Sequence, residues 1–209
     1  MYRQILFDFD GTIVDSLDLA LRILNRMAEK YHYQTVTAAD MQTLKSLPLT
    51  ERFQKIGFPL HKIPAMTVEC AALYRSQIPG LKPVPGIREL FDALRAEGCS
   101  LSVLSSNSVE NITEFFRRIE MDQFDHVFSS NNLFGKENSI RKFLRRFGVK
   151  PAELLYVGDE LRDLDACRAA GVKVAAVTWG YDPLPLLQSG KPDFIAHKPE
   201  EVLRAARSG

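Results

Sequence analysis

The chain has little of what marks a secreted, zinc-stapled or nucleic-acid-binding protein. Its three cysteines, Cys70, Cys99 and Cys167, lie far apart and without C-x-x-C spacing. That odd, scattered set excludes a disulfide framework and a structural zinc site, so the thiols are expected reduced and buried. The four histidines, His32, His61, His126 and His197, are equally dispersed and form no zinc cluster. No apolar run approaches membrane-spanning length and no basic, apolar leader precedes the first strand, so the expected location is cytoplasmic, with no membrane partner. Net charge is nearly absent as well. With 27 Lys and Arg against 26 Asp and Glu, the balance of +1 gives no electrostatic reason for a nucleic-acid partner. A G-x-S-x-G elbow is missing, which excludes that class of serine hydrolase. What is present is 45% hydrophobic residues over 209 positions, enough to bury a core and to exclude disorder.

The most informative stretch opens the chain: Ile5, Leu6 and Phe7, then Asp8, Phe9, Asp10, Gly11 and Thr12. Residues i and i+2 of a strand point to the same side, so Asp8 and Asp10 face one ligand together where the strand ends. Two acids aimed at one point repel unless a cation sits between them. Gly11 permits a tight turn and close backbone approach, and the N–H groups of such a turn receive anions. The local chemistry asks for a divalent cation and a phosphate. An EF-hand loop counted from Asp8 would need glycine at Ile13 and a carboxylate at Leu19, so calcium of that type is excluded.

Farther along, strand and helix patterns alternate. A long helix is expected over residues 15–33, with Ser16 as a plausible N-cap. Residues 37–77 read as short helical pieces, and the Pro- and Gly-rich residues 78–86 as a stiff linker. Helices at 87–97, 109–119, 137–147 and 161–170 then alternate with strands at 100–105, near 126–128, 154–157 and 172–177. A strand at 194–196 and a terminal helix from Pro199 follow. Such alternation predicts an α/β fold, a parallel sheet covered on both faces, interrupted by an all-helical insert.

Ligands of open α/β sheets bind beyond the carboxyl ends of the strands. Three further signals fall there. Ser106 and Asn107 follow the 100–105 strand, although Ser106 or Ser108 is equally read as an N-cap. Lys136 follows Gly135 at a helix start, where a solvated lysine is the ordinary alternative. Gly158 and Asp159 end the 154–157 strand, with Asp163 four residues on, a position also favoured by the helix dipole.

In this order, D-x-D-G-T, Ser-Asn, Lys and G-D-x-x-x-D resemble the haloacid dehalogenase superfamily, in its phosphoglycolate phosphatase-like branch with a helical cap. The resemblance covers essentially the whole chain, and the stretches Val84 to Leu90 and Val177 to Tyr181 share it. It implies a Rossmann-like parallel sheet core over residues 1–14 and 80–209 and a helical cap over 15–79. It further implies Asp8 as nucleophile, Asp10 as general acid and base, and Lys136 as the cation holding nucleophile and phosphate. Gly11, Thr12, Ser106 and Asn107 would bind the phosphoryl group. Mg²⁺ would be held by Asp8, Asp10 through its carbonyl, and Asp159, with Asp163 a second ligand or the organiser of a bound water. The implied reaction is hydrolysis of a small phosphorylated metabolite, phosphoglycolate being one candidate, through an aspartyl-phosphate.

Two other readings stay open: a β-phosphoglucomutase-like sugar phosphomutase, and a non-enzymatic phosphorylatable receiver or binding module. A dehalogenase or phosphonate hydrolase of the superfamily is disfavoured by the acid at Asp10. In the insert, Ser46-Leu47-Pro48-Leu49 stands where many relatives carry a Gly-containing substrate loop. Arg22, Arg26, Lys45, Arg52 and Arg75 could face an anionic leaving group, although solvated surface is the commoner fate of such residues. Met27, Phe53 and Leu73 read as core of the insert. The catalytic candidates all lie outside residues 15–79, so the sequence separates chemistry in the sheet domain from leaving-group selection in the insert.

Overall fold

The computed structural model describes residues 1–130 and 135–209. The chain begins with β1 (Gln4–Phe7) and a short β2 (Val14–Asp15), followed by four helices: α1 (Leu17–Tyr31), α2 (Ala38–Leu44), α3 (Leu49–Lys55) and α4 (Ile63–Gln77). Then come β3 (Lys82–Pro83), α5 (Ile87–Ala96), β4 (Ser100–Ser105), α6 (Val109–Arg118), β5 (His126–Ser129) and α7 (Lys136–Phe147). The last elements are β6 (Leu154–Gly158), α8 (Leu161–Ala170), β7 (Lys173–Val177), α9 (Leu184–Ser189), β8 (Phe194–Ala196) and α10 (Pro199–Arg207).

Six strands pair in the order β5-β4-β1-β6-β7-β8, every pair parallel. The apolar runs explain why both faces are covered. Alternate residues of a strand point to opposite faces, and two separate cores result. Ile5, Phe7, Leu101, Val103, Leu155 and Val157 join Phe91, Leu94, Ile112, Phe115 and Val202 from α5, α6 and α10. Leu6, Leu104, Tyr156, Val174 and Ala176 join Ile140, Phe143, Leu164 and Cys167 from α7 and α8. Cys99 and Cys167 are buried as expected, whereas Cys70 is only half-buried.

The helical insert between β2 and β3 has a small cluster of its own, Val36, Leu44 and Ile56 with Leu21, Leu24 and Phe58 around them. Its two ends do not stand apart from the sheet domain, because Leu19, Tyr74 and Ile78 belong to the first large core. Met27 and Phe53 are buried, and Leu73 is half-buried.

The structure departs from the sequence reading in three local respects. Lys82–Pro83 is not free linker: it pairs antiparallel with Val14–Asp15, and the Val84 N–H donates to the Ile13 carbonyl at 2.9 Å, tying the exit of the insert to its entry. Ser16 precedes α1 but makes no cap with its side chain, which is drawn to Asp10 instead. Of the two N-caps offered for α6, the structure uses Ser108, which accepts from the Asn111 N–H at 3.2 Å. Helix α9, between Pro183 and Gly190, lacks the periodicity that reveals longer helices. Among the described residues no helix is long and apolar enough to cross a membrane.

Candidate active site

Parallel pairing sets Phe7 level with both Val103 and Val157, so β1, β4 and β6 end within two residues of one another. Residues just past those ends share one edge of the sheet. Asp8 to Thr12 leave β1, Ser106 and Asn107 leave β4, and Asp159 leaves β6. Lys136 opens α7, Asp163 sits in the first turn of α8, and Trp179 to Asp182 follow β7.

Asp8, Asp159 and Asp163 are buried, and one carboxylate oxygen from each lies within 4.8 Å of the other two. Lys136 is the counter-charge: its Nζ donates to Asp8 Oδ2 at 2.9 Å and to Asp163 Oδ1 at 2.5 Å, with 4% of its side chain exposed. The solvated alternative for Lys136 is thereby excluded. Burial alone would favour the neutral amine, but the Asp163 and Asp8 carboxylates more than offset it and hold the ammonium above the ordinary lysine range. For Asp8, burial outweighs the attraction of Lys136 and raises its pKa from 3.8 to about 6. Asp159 lies well above the ordinary carboxylate range, through burial first and then the charges of Glu160, Asp8 and Asp163.

Both oxygens of Asp159 are oriented. Thr12 Oγ1 donates to Oδ1 at 2.8 Å and the Tyr181 N–H to Oδ2 at 2.7 Å. Glycine makes this arrangement possible at two points. Gly11 has φ +79°, and a Cβ there would stand 2.2 Å from Asp159 Oδ2, while one on Gly180 would stand 2.3 Å from the same oxygen. Trp179 Nε1 donates to the Thr12 carbonyl at 3.1 Å and secures the turn.

The residues fit a divalent cation on chemical grounds. Asp8, Asp159, Asp163 and Glu160 put four buried carboxylates against one buried cation, Lys136, and the half-buried Arg162, which is paired to Glu160 at 2.5 Å. An all-oxygen, carboxylate-rich donor set suits a hard cation, whose charge would balance the excess and reverse the upward shift at Asp159.

Asp10 is held differently. Ser16 Oγ and Tyr74 OH each donate to its Oδ1 at 2.7 Å, and Asn107 Nδ2 donates to Oδ2 at 3.0 Å. Tyr181 OH lies 2.9 Å from Ser16 Oγ. Desolvation raises the Asp10 pKa, and the hydrogen bonds from Tyr74, Ser16 and Asn107 oppose the rise without cancelling it. Asp8 and Asp10 therefore differ in surroundings, one beside an ammonium and two acids, the other ringed by neutral donors. Burial and the neighbouring Asp10 hold the Tyr74 phenol well above its usual range, so it remains an O–H donor.

A cavity of about 290 Å³ opens beside this edge. Pro48, Leu49 and Thr50 line one side, and Lys136, Arg162 and Asp182 the other.

A model of the haloacid dehalogenase-like hydrolases matches residues 5–177. The chain belongs to that family. This hydrolase is 31% identical over 204 residues to a phosphoglycolate phosphatase of Synechococcus elongatus, covering 97% of this chain and 96% of that one. A phosphoglycolate phosphatase of Aquifex aeolicus is 27% identical over 214 residues, covering 97% and 95%. A haloacid dehalogenase-like hydrolase from Streptococcus pneumoniae superposes with a TM-score of 0.79 at 23% identity, covering 98% of each chain, and shares the fold. The hydrolase falls in the phosphoglycolate phosphatase-like branch and is a phosphatase.

Of the residues singled out in the sequence, Asp8, Lys136, Asp159 and Asp163 meet in one buried cluster. Gly11 and Thr12 serve Asp159, Asn107 reaches Asp10, and Ser106 lies half-buried one step past β4. Arg52 and Arg75 are both engaged within the protein, with Asp182 and Asn111. Sequence reasoning missed Tyr74, Asn111 and Arg162. Only Tyr74 left a trace, as one of the apolar-spaced positions of α4, and nothing in that spacing separates a core tyrosine from one that reaches an acid.

Proposed function

We propose that this phosphatase hydrolyses a small phosphorylated metabolite with the help of Mg²⁺, through an aspartyl-phosphate on Asp8. The observation that carries the reading is the buried cluster of Asp8, Asp159 and Asp163 beside Lys136, with Asp10 two residues from Asp8 in a separate, neutral surrounding. The carboxylates of Asp8, Asp159 and Asp163 and the Asp10 carbonyl would hold the cation, which supplies charge stabilisation to the phosphoryl oxygens.

In this reading the Asp8 carboxylate attacks phosphorus in line. Lys136 keeps Asp8 ionised and oriented and neutralises charge on the transferred group. Asp10 protonates the departing alkoxide and then deprotonates the water that opens the intermediate, a dual task suited to a carboxyl group whose pKa is raised. Ser106 and the N–H groups of the turn at Gly11 and Thr12 bind the phosphoryl oxygens. Residues 15–79 act as a cap that limits water access, with the sheet domain formed by 1–14 and 80–209. The cavity of about 290 Å³, lined by Lys136 and by Pro48, Leu49 and Thr50 of the insert, is of a size that favours a small leaving group such as that of phosphoglycolate.

The test is a turnover screen with Mg²⁺ and with chelator over phosphoglycolate, sugar phosphates, nucleotides, pyrophosphate and p-nitrophenyl phosphate. Hydrolysis of a small alkyl monoester above the rest, abolished by chelator and restored by Mg²⁺, is expected. Chelator-insensitive turnover would remove the metal from the mechanism, and phosphoryl transfer between two sugar positions would turn the reading to a mutase.

A further inference from the structure

Helix α4 places Ala71, Tyr74 and Arg75 on one face at i, i+3 and i+4 spacing, and that face meets α6 and Asp10. Three polar contacts leave it. Tyr74 OH donates to Asp10 Oδ1 at 2.7 Å. The Ala71 carbonyl accepts from Asn111 Nδ2 at 3.1 Å, and Arg75 Nε donates to Asn111 Oδ1 at 3.2 Å. Asn111, wholly buried on α6, also donates through Nδ2 to Asn107 Oδ1 at 3.1 Å, and Asn107 Nδ2 donates to Asp10 Oδ2. Both oxygens of Asp10 thus lead back to a single helix of the insert, one directly and one through two amides. A part-buried network of hydrogen bonds of this kind rigidifies what it holds. At the opposite end of the insert, Ser16 donates to the same Oδ1.

We propose that Tyr74 is a positioning residue for the acid–base step, and that Arg75, acting through Asn111 and Asn107, supports it, so that the seating of α4 sets the orientation of the Asp10 carboxyl group. The proposal rests on the reading of Asp10 as general acid. In that step an Asp8 oxygen bonds to phosphorus while the bond from phosphorus to the leaving oxygen breaks. The electron pair stays on the leaving oxygen, and the Asp10 proton moves to it. Oδ1 already accepts two hydroxyl hydrogens, which fill its lone pairs, so the proton that moves is the one on Oδ2. Removing the Tyr74 hydroxyl leaves Oδ1 held by Ser16 alone and opens one of its lone pairs to the proton, which is then misdirected away from Oδ2.

The experiment compares kcat/KM, which reports events up to phosphorylation, for an alkyl monoester and for p-nitrophenyl phosphate, whose leaving group needs little protonation. Four proteins are measured: wild type, Tyr74→Phe, Arg75→Ala and Asp10→Asn. Tyr74→Phe is expected to lower the alkyl-to-aryl ratio of kcat/KM by about tenfold, and Arg75→Ala, at an exposed position that leaves the fold intact, by about threefold. An unchanged ratio in both variants, or equal losses on the two substrates, overturns the proposal. The Asp10→Asn variant separates the two levels: if it also leaves the ratio unchanged, the general-acid reading fails, whereas a collapsed ratio there with wild-type ratios in the other two rejects only the positioning role.

Discussion

Arg52 on α3 and Asp182 beyond β7 form a buried ion pair, with 11% and 4% of their side chains exposed. The same guanidinium donates to the carbonyls of Leu47 at 2.7 Å and Lys45 at 3.1 Å, while Asp182 Oδ2 accepts from the Leu161 N–H at 2.7 Å. Arg52 therefore shapes the loop that carries Pro48 and fastens it to the sheet domain. Arg52→Met would leave the Asp182 carboxylate buried with one backbone donor, so a loss of about 3 kcal/mol in urea unfolding is expected. Adding Asp182→Asn should recover part of it. The same change should raise KM for the alkyl substrate more than it lowers kcat on p-nitrophenyl phosphate. A loss under about 1 kcal/mol would place the pair with exposed salt bridges and remove its fastening role.

Asp8→Asn keeps shape and hydrogen-bonding size but removes the nucleophile. Turnover should fall by roughly four orders of magnitude or more, in line with the loss of other catalytic nucleophiles. Acid-quenched protein should carry no phosphoryl group, and circular dichroism should match wild type. Retained turnover would reject Asp8 as the attacking residue.

With divalent cations chelated, Asp8, Asp10 and Asp159 all have raised pKa values in the folded chain. A carboxyl group raised on folding binds more protons folded than unfolded, so its contribution to stability is fullest at low pH and is lost as pH rises. For Asp8 the window runs from 3.8 to about 6. Mg²⁺ needs the ionised groups and stabilises the fold by mass action. The gain in Tm on adding Mg²⁺ should therefore widen from pH 5 to pH 7.5. A gain independent of pH would show that the cation does not bind at these carboxylates.

Much of this molecule is legible in its sequence because the sheet is built from short, near-continuous apolar runs, and runs such as Ile5 to Phe7 have few other uses. The acids follow those runs directly, so fold and site are read by the same signal. The helical insert is less legible. Its helices α2 and α3 are seven residues each and hold only a small shared cluster, so packing decides their limits more than periodicity does. Contacts over long separations leave no local mark. Tyr74 reaches Asp10 across 64 positions, and Arg52 reaches Asp182 across 130. The expected separation of chemistry from insert is modified by the first of these, since Tyr74 and Ser16 lie within residues 15–79 and both touch Asp10.

Gly180 offers a test of the metal cluster that removes no ligand and no charge. Its backbone lies outside the left-handed region, so alanine is allowed there conformationally, but a Cβ would stand 2.3 Å from both the Cβ and Oδ2 of Asp159. Real side chains do not approach so closely, and Asp159 must shift, giving up the 2.7 Å hydrogen bond from the Tyr181 N–H. Displacing a ligand through its surroundings weakens metal sites by about 10- to 100-fold. Gly180→Ala should accordingly raise the Mg²⁺ concentration for half-maximal activity by at least about tenfold. Maximal activity at saturating Mg²⁺ should change less, because Asp8, Asp10 and Lys136 are untouched. Gly80→Ala, where an added Cβ meets nothing within 4 Å, serves as the control and should leave the Mg²⁺ requirement unaltered. If Gly180→Ala left it unaltered too, while Asp159→Asn raised it, the approach of Gly180 would be packing alone. If neither variant changed it, Asp159 would hold no metal, and the cluster would have to be explained by Lys136 and its two partners alone.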